Sequence, residues 1–523
     1  MNTVSRRKMF GLLGGAVAIG AAGITIPSMA GEVEIGRLLP SRVRLPAPFG
    51  VRLPVPPVLR PGTHPRYPGA DYYEITQRAA HREILPGLRT EIWGYNGIFP
   101  GPTIVSTRDR TTVVRQTNAL PVPTVTHLHG GHTPPESDGF PTDLVFPQGS
   151  PPDIAQRMPR MADMPGMGPD PQARTTIGSR DYVFPMHQRA ATLWYHDHRM
   201  GFTAPDVWRG LAGFHLIRDR EEDALPLPKG DKDIPLMITD RSFAADGSFR
   251  YPALDPSLLR TPGVPGEYMA GVLGDVILVN GAPWPVAEVS ASRYRFRILN
   301  ASNARRYRLT LDPPGALTQI GSDGGLLERP VHHERLDIAP AERFDVVIDF
   351  GRYRVGQEIT VRNELGDGST AVVLRFRVTH RESDDTAIPE RLAGFGPIPA
   401  HEATATRDFL FQDSGSAGWT INGLPFDPVR PVATVGLDAT EIWRFTTDFH
   451  HSVHVHLVQF QVLSRNGRAP EPYDAGWKDT VDLRPAEQAA VIARFTDYPG
   501  RYVMHCHNLE HEDMSMMATI AVR

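Results

Sequence analysis

Apolar and polar residues alternate in three well-separated stretches: "TIVSTRDRTTVVRQTN" from Thr103 to Asn118, "VAEVSASRYRFRILN" from Val286 to Asn300, and "ATVGLDATEIWRFTT" from Ala433 to Thr447. A period of two sends successive side chains to opposite faces and predicts half-buried β-strands. Each stretch follows an Asn-Gly pair and then a proline: Asn96-Gly97 before Pro100, Asn280-Gly281 before Pro283, and Asn422-Gly423 before Pro425. Turn, gap and strand recurring at intervals of well over a hundred residues predict three duplicated β-domains rather than a short-period solenoid. The density of turn signals points to Greek-key β-sandwiches, and amphipathic helical periodicity is scarce. Residues 36–70 read as a Pro/Arg-rich surface arm, and Pro165 to Ala173 and Ile388 to Ala400 as loop or linker.

Composition agrees: 50 Pro and 48 Gly in 523 residues favour short strands and turns over long helices. A formal net charge of −4 without a long basic run speaks against nucleic acid as partner. One cysteine excludes an internal disulfide framework. At the N-terminus, "SRRKMF" carries Arg6 and Arg7 ahead of a Gly/Ala-rich apolar run reaching about Ile26, and "PSMA" ends at Ala30. This predicts a twin-arginine signal over residues 1–30, cleaved rather than retained as a membrane span, and handled by the export machinery for folded proteins. The destination is then periplasm, cell envelope or medium, where a chain nearly free of thiols has little to mispair. The expected domains are 31–225, 226–385 and 386–523.

The outer repeats differ from the middle one in their histidines. "THLHGGH" follows the first and "HHSVHVH" the third, while "SNARRYRLTL" after the second has none. Further on, "WYHDH" (Trp194 to His198) matches "VMHCH" (Val503 to His507). On a strand, residues i and i+2 share a face. His127/His129, His196/His198, His454/His456 and His505/His507 are four such pairs. One His-X-His is an ordinary surface strand. Four, placed symmetrically in repeated domains, predict eight imidazoles converging between the outer domains, a set suited to a copper cluster. Cys506, between His505 and His507, must face the other way. With His451, His511 and Met516 it makes the thiolate, two-imidazole and thioether set of a blue-copper electron-transfer site. Adjacent strand residues rise ~3.3 Å, so the two centres are joined by a short covalent path. His450, next to His451, faces away in an extended chain.

Taken in order, "HLHG", "HDH", "HSVHVH" and "HCHNLEHEDMSMM" resemble the four copper motifs of the multicopper oxidases. The longer stretches "HLHGGHTPPESDGFPTD" and "HDHRMGFTAPDVWRGLAGFHLIRDREED" are similar to the three-domain bacterial spore-coat-type laccases, with o-aminophenol oxidases and bilirubin oxidases beside them. The resemblance implies an all-β chain of three cupredoxin-like Greek-key β-sandwich domains and four copper ions. It implies type 2 copper on His127 and His454, paired type 3 coppers on His129, His196, His198, His456, His505 and His507, and type 1 copper on His451, Cys506 and His511 with Met516 axial. Met514 and Met517 miss the family spacing and read as packing residues. Ser452 stands where the family has proline. Asp138 and Glu512 match acidic positions near the cluster and are the candidate proton donors; otherwise Asp138 is a turn residue and Glu512 a solvated loop charge.

The function so implied is a laccase-like oxidation of phenols or aromatic amines coupled to reduction of O2 to water, with the reductant donating at an exposed edge of His511 or His451. The alternative is a metallo-oxidase acting on Cu(I), with Fe(II) or Mn(II) behind it. It rests on Met158, Met161, Met164 and Met167 in "MPRMADMPGMG", spaced by three, whose thioethers suit Cu(I). A non-enzymatic cupredoxin-fold assembly or copper-storage protein fits least, because ten matching histidines, Cys506 and Met516 are all present.

Overall fold

The computed structural model describes residues 35–154, 170–415 and 418–523, together with the short strands Val17–Ile19 and Thr25–Pro27. Arg6, Arg7, the cleavage position after Ala30 and the methionine-rich segment 158–168 lie outside the described residues. Among the described residues no helix is long and apolar enough to cross a membrane.

The alternating stretches form strands, and the strands form three β-sandwiches, successive along the chain. In the first, a four-stranded sheet built on Asp71–Arg82 and Thr112–Asn118 faces another built on Ala191–Asp197 and Ala212–Arg218. The middle sandwich closes an eight-stranded sheet over a five-stranded one, and the last packs two five-stranded sheets. Each sandwich has its own apolar core, around Tyr95 and Leu193, around Phe296 and Phe376, and around Phe445 and Tyr502. All three repeat one non-sequential pairing. Asp71–Arg82 runs parallel to Thr112–Asn118, Asp233–Phe243 to Arg293–Asn300, and Ala405–Asp413 to Thr440–Thr447. Parallel neighbours need a crossover, so the Greek-key expectation and the threefold repeat are visible in the hydrogen bonding itself.

The Asn-Gly pairs explain why the repeat survives at sequence level. Asn96, Asn280 and Asn422 have φ of 55°, 50° and 55°, with left-handed glycines after them. Asn and Gly tolerate that region best. Each Asn side chain also accepts a backbone N–H from the neighbouring strand, of Thr76 at 2.9 Å, Met237 at 2.8 Å and Leu410 at 2.7 Å.

The arm is irregular, as expected, but it is a strap rather than a loose surface segment. Arg37–Leu39 pairs in parallel with Val272–Gly274, and bridges at Arg52 and Val58 carry it across the middle sandwich to the first. The helices that matter for function are short, Thr203–Arg209 and Leu509–Asp513, and sequence periodicity gave no sign of either.

Asn280 also donates to Pro54 O and Pro235 O at 2.9 and 2.8 Å, whereas the amide of Asn422 reaches Asp408 O only at 3.4 Å. Asn280→Ala is therefore expected to destabilise the protein by about 3 kcal/mol and Asn422→Ala by about 2 kcal/mol, by loss of hydrogen bonds and left-handed strain. Urea unfolding of both variants checks the order; equal costs would contradict it.

Candidate metal centre

Strand register brings the histidine pairs together. His127 lies opposite His196 in the first sandwich, and His454 opposite His505 in the third. His198 and His456 fall just beyond these pairs at strand ends, where His456 N–H still bonds Val503 O at 3.0 Å. Where the outer sandwiches meet, the rings interlock. His127 stacks on His456 at 3.8 Å between centroids, and His129 on His454 at 3.6 Å. The Nε2 atoms of His198 and His456 lie 3.2 and 3.3 Å from that of His505. His507 sits 5.0 Å from His129 and 5.3 Å from His196. All eight rings are at most 1% exposed.

The other ring nitrogen of most of these histidines is anchored. Nδ1 of His127 and His454 reach the backbone oxygens of Asp138 and Asp479 at 2.5 and 2.8 Å. Nδ1 of His196 reaches Asp197 O at 2.7 Å, and that of His456 reaches Asp138 Oδ2 at 2.8 Å. Nδ1 of His505 reaches Cys506 O at 3.1 Å, and Glu512 lies alongside, 3.3 Å from His198 Nδ1 and 3.1 Å from His505 Nδ1, without a hydrogen bond to either. These contacts turn Nε2 inward. His129 is reversed: its Nε2 meets Asp479 Oδ1 at 3.0 Å and the Thr480 hydroxyl at 3.1 Å, and Nδ1 is left free. Burial, then the neighbouring rings, holds His127, His198, His456 and His507 well below the ordinary imidazole range, and burial pushes His196 down to about 3.

Neutral rings with one nitrogen anchored present lone pairs to each other. His127 Nε2, His129 Nδ1, His196 Nε2, His198 Nδ1, His454 Nε2 and both nitrogens of His507 have no hydrogen-bond partner. A buried polar atom without a partner costs ~1–3 kcal/mol, and a soft or borderline cation satisfies several at once. The residues present therefore fit a metal cluster, and His127/His454/His456, His127/His129/His196 and His198/His456/His505 each offer three nitrogens within 4.8 Å of one another.

Cys506 faces the opposite way, into the core of the third sandwich with Met516, and both are fully buried. His451 Nδ1 and His511 Nδ1 approach to 3.1 Å, and Cys506 Sγ lies 3.6 Å from His511 Nδ1. The turn back to Met516 is tied by Cys506 N–H to Met516 O at 3.1 Å and Met516 N–H to His511 O at 2.9 Å. Burial pushes the Cys506 thiol up to about 12, so a bound cation is what makes it a thiolate. In the first sandwich the equivalent Asp197 spends its carboxylate on Val125 N–H and Arg199 N–H, at 2.9 and 3.0 Å, with no imidazoles beside it.

One expectation is corrected. Neither His451 nor His511 offers an exposed edge; they are 1% and 2% exposed. Trp419 stacks on His511 at 3.8 Å, Asn508 Nδ2 lies 3.3 Å from its Nε2, and Asp448 lies 3.1 Å from His451 Nε2. Glu512 is likewise no solvated loop charge: it is buried and accepts from the Thr203 hydroxyl at 2.7 Å. Asp138 is a turn residue and a cluster neighbour together, since Gly139 follows it at φ 83°. Met514 and Met517 pack in apolar clusters, and the Ser452 hydroxyl bonds Pro340 O at 2.6 Å, pinning the histidine strand to the middle sandwich. His450 joins neither group. Sequence reasoning missed Trp419, Thr203, Asp479 and Arg343, none of which lies inside a histidine motif.

A Cβ on Gly139 would collide with the Thr126 carbonyl beside His127, whereas one on Gly149, also left-handed at φ 81°, meets nothing within 4 Å. Gly149→Ala is expected to cost about 1–2 kcal/mol from backbone strain alone, and Gly139→Ala clearly more. Chemical denaturation of the metal-free variants decides it; equal costs would mean that the Asp138 turn does not press on the His127 strand.

The chain matches multicopper oxidase family models over residues 76–150 and 154–222, 259–370, and 400–523. It is 38% identical to a laccase of Bacillus stratosphericus, over 90% of this chain and 98% of that one. It is 35% identical to the bilirubin oxidase of Albifimbria verrucaria, over 90% and 80%. The crystal structure of a laccase from Pediococcus acidilactici superposes with a TM-score of 0.79 at 32% identity, over 93% and 96%.

Proposed function

The chain belongs to the multicopper oxidase family, and from that premise we propose that it is an exported laccase-like enzyme taking single electrons from phenols or aromatic amines and reducing O2 to water. The observation that carries the reading is one strand end, His505-Cys506-His507, whose histidines join the eight-imidazole cluster on one face while its cysteine joins His451, His511 and Met516 on the other.

In this reading four copper ions are held. His451, Cys506, His511 and Met516 hold the type 1 ion. His127 and His454 hold type 2, and His129, His196, His198, His456, His505 and His507 hold the type 3 pair. Bound copper supplies the one-electron chemistry that the side chains lack. The protein does the rest. Its buried walls exclude water, and the Cys506 backbone links the two faces. Trp419, stacked on His511, is the cover that a reductant must approach, because both type 1 imidazoles are enclosed. Four phenol oxidations release four electrons and four protons, the balance for turning one O2 into two waters.

Proton delivery falls to Asp138 and Glu512. Burial, reinforced by Asp143, pushes the Asp138 carboxyl well above the usual carboxylate range, and its Oδ2 lies 2.8 Å from His456 Nδ1 at the cluster wall. Glu512 touches His198 and His505 and is fed by the Thr203 hydroxyl. Export by the twin-arginine route rests on Arg6, Arg7 and the small residues before Ala30; a mature N-terminus at Gly31 on protein recovered outside the cytoplasm is the expected result, and uncleaved cytoplasmic protein would contradict it.

The decisive experiment compares the copper-loaded protein with Cys506→Ser, Asp138→Asn and Glu512→Gln. The wild type should be blue and consume O2 with a simple phenol, and Cys506→Ser should lose the colour and at least 100-fold in turnover. The two carboxyl variants should stay blue, accept electrons at the normal rate and be reoxidised by O2 roughly 10- to 1000-fold more slowly. A colourless wild type with full copper refutes the type 1 site; unchanged reoxidation refutes the proton role.

A further inference from the structure

Asp479 lies in no histidine motif, yet it meets the cluster as Asp138 does, with the outer domains exchanged. Asp138, from the first sandwich, takes its own domain's His127 on the backbone oxygen and the third domain's His456 on the carboxylate, at 2.5 and 2.8 Å. Asp479, from the third, takes its own domain's His454 on the backbone oxygen and the first domain's His129 on the carboxylate, at 2.8 and 3.0 Å. The ring stacks obey the same exchange, His127 on His456 and His129 on His454.

The two carboxylates differ in what grips them. Asp138 Oδ1 has no hydrogen-bond partner. Both Asp479 oxygens are held by the Arg343 guanidinium, Nη1 to Oδ1 at 2.7 Å and Nη2 to Oδ2 at 2.5 Å, a fork-on-fork pair. Arg343 comes from the middle sandwich, on the strand Arg343–Asp349, and its Nε donates to Thr192 O of the first sandwich at 2.9 Å. One fully buried guanidinium thus ties the middle sandwich to both outer ones at the cluster wall. Gly130, directly after the first histidine motif, leaves it room, since a Cβ there would sit 2.5 Å from Arg343 Nη2 and 2.7 Å from Asp479 Oδ2.

We propose that Asp479, fixed by Arg343, is a positioning residue that takes the Nε2–H of His129 and so turns Nδ1 of that ring, alone among the anchored histidines, toward the copper cluster. The middle domain, which supplies no histidine to the cluster, then has a defined task there: its arginine sets the orientation of a ligand contributed by another domain. Such outer partners fix ligand tautomer and orientation at metal sites.

The inference rests on the multicopper reading, and the test separates the two. Removing one partner of a buried ion pair strands the other, so both charges are neutralised together. His129 Nε2 also lies 3.1 Å from the Thr480 hydroxyl, so Thr480→Val is added to both pairs; Arg343→Gln/Asp479→Asn then keeps an acceptor oxygen for His129, and Arg343→Gln/Asp479→Leu does not. Copper per chain, the type 2 electron paramagnetic resonance signal and the near-ultraviolet absorption of the coupled pair are recorded after reconstitution. The Asn pair should load as the wild type does. The Leu pair should stay blue but fall from about four coppers to about three or fewer, with altered cluster signals, in line with a 10- to 100-fold loss of affinity. If the Leu pair does not fold, Asp479→Glu, which shifts the carboxylate by one methylene, should alter the same signals. A folded Leu pair, or failing it Asp479→Glu, with full copper and unaltered signals overturns the proposal. A wild type that loads no cluster overturns the multicopper reading instead.

Discussion

Gathering His127, His129, His196, His198, His454, His456, His505 and His507 in one water-free interface costs free energy twice. Each ring loses its hydration, and unprotonated nitrogens are left facing one another. A bound cation offsets that cost by taking several of those lone pairs at once. The surrounding structure reads as the means of holding it: two sandwiches supply four rings each, and cross-strand register sets their order. Acceptors behind the rings, Asp138, Asp197 and Asp479 among them, keep most of them from turning away.

The second consequence of the constraint is directional. A strand has two faces, and the third sandwich uses both at His505-Cys506-His507. The cluster face is polar and shared between domains, whereas the cysteine face is the apolar core of one domain. In the proposed enzyme, electron acceptance and O2 reduction are thereby kept apart in space yet joined through adjacent residues. The first sandwich has the same strand with Asp197 in place of cysteine, and there the carboxyl group takes the Val125 and Arg199 N–H groups and meets Asp206.

Much of this was legible in the sequence. Asn-Gly turns and period-two stretches announced three sandwiches, because left-handed turns and alternation are local properties. The four His-X-His pairs and Cys506 announced two faces, because strand geometry fixes where i, i+1 and i+2 point. What could not be read is what depends on distant residues meeting. Asp479 follows His454 by 25 positions while Asp138 follows His127 by 11, so their equivalence has no sequence signature. Arg343 lies in the repeat that has no histidine motif. Trp419 was visible as a strand residue, but that its ring covers His511 is a tertiary fact, and it overturns the expectation of an exposed imidazole edge. The burial of Glu512 follows from the short helix Leu509–Asp513 docking against Thr203–Arg209, which no periodicity of five residues can reveal.

In the proposed enzyme one strand end, His505-Cys506-His507, serves two separate copper sites. Anomalous X-ray scattering at the copper edge, on crystals of the copper-loaded protein, tests it most directly. One peak is expected on the Cys506 side, among His451, His511 and Met516, and three among the eight imidazoles on the other side, one of them bound by His129 through Nδ1. Copper on only one face of the strand, or the His129 ring turned with Nε2 toward the metal, would contradict it.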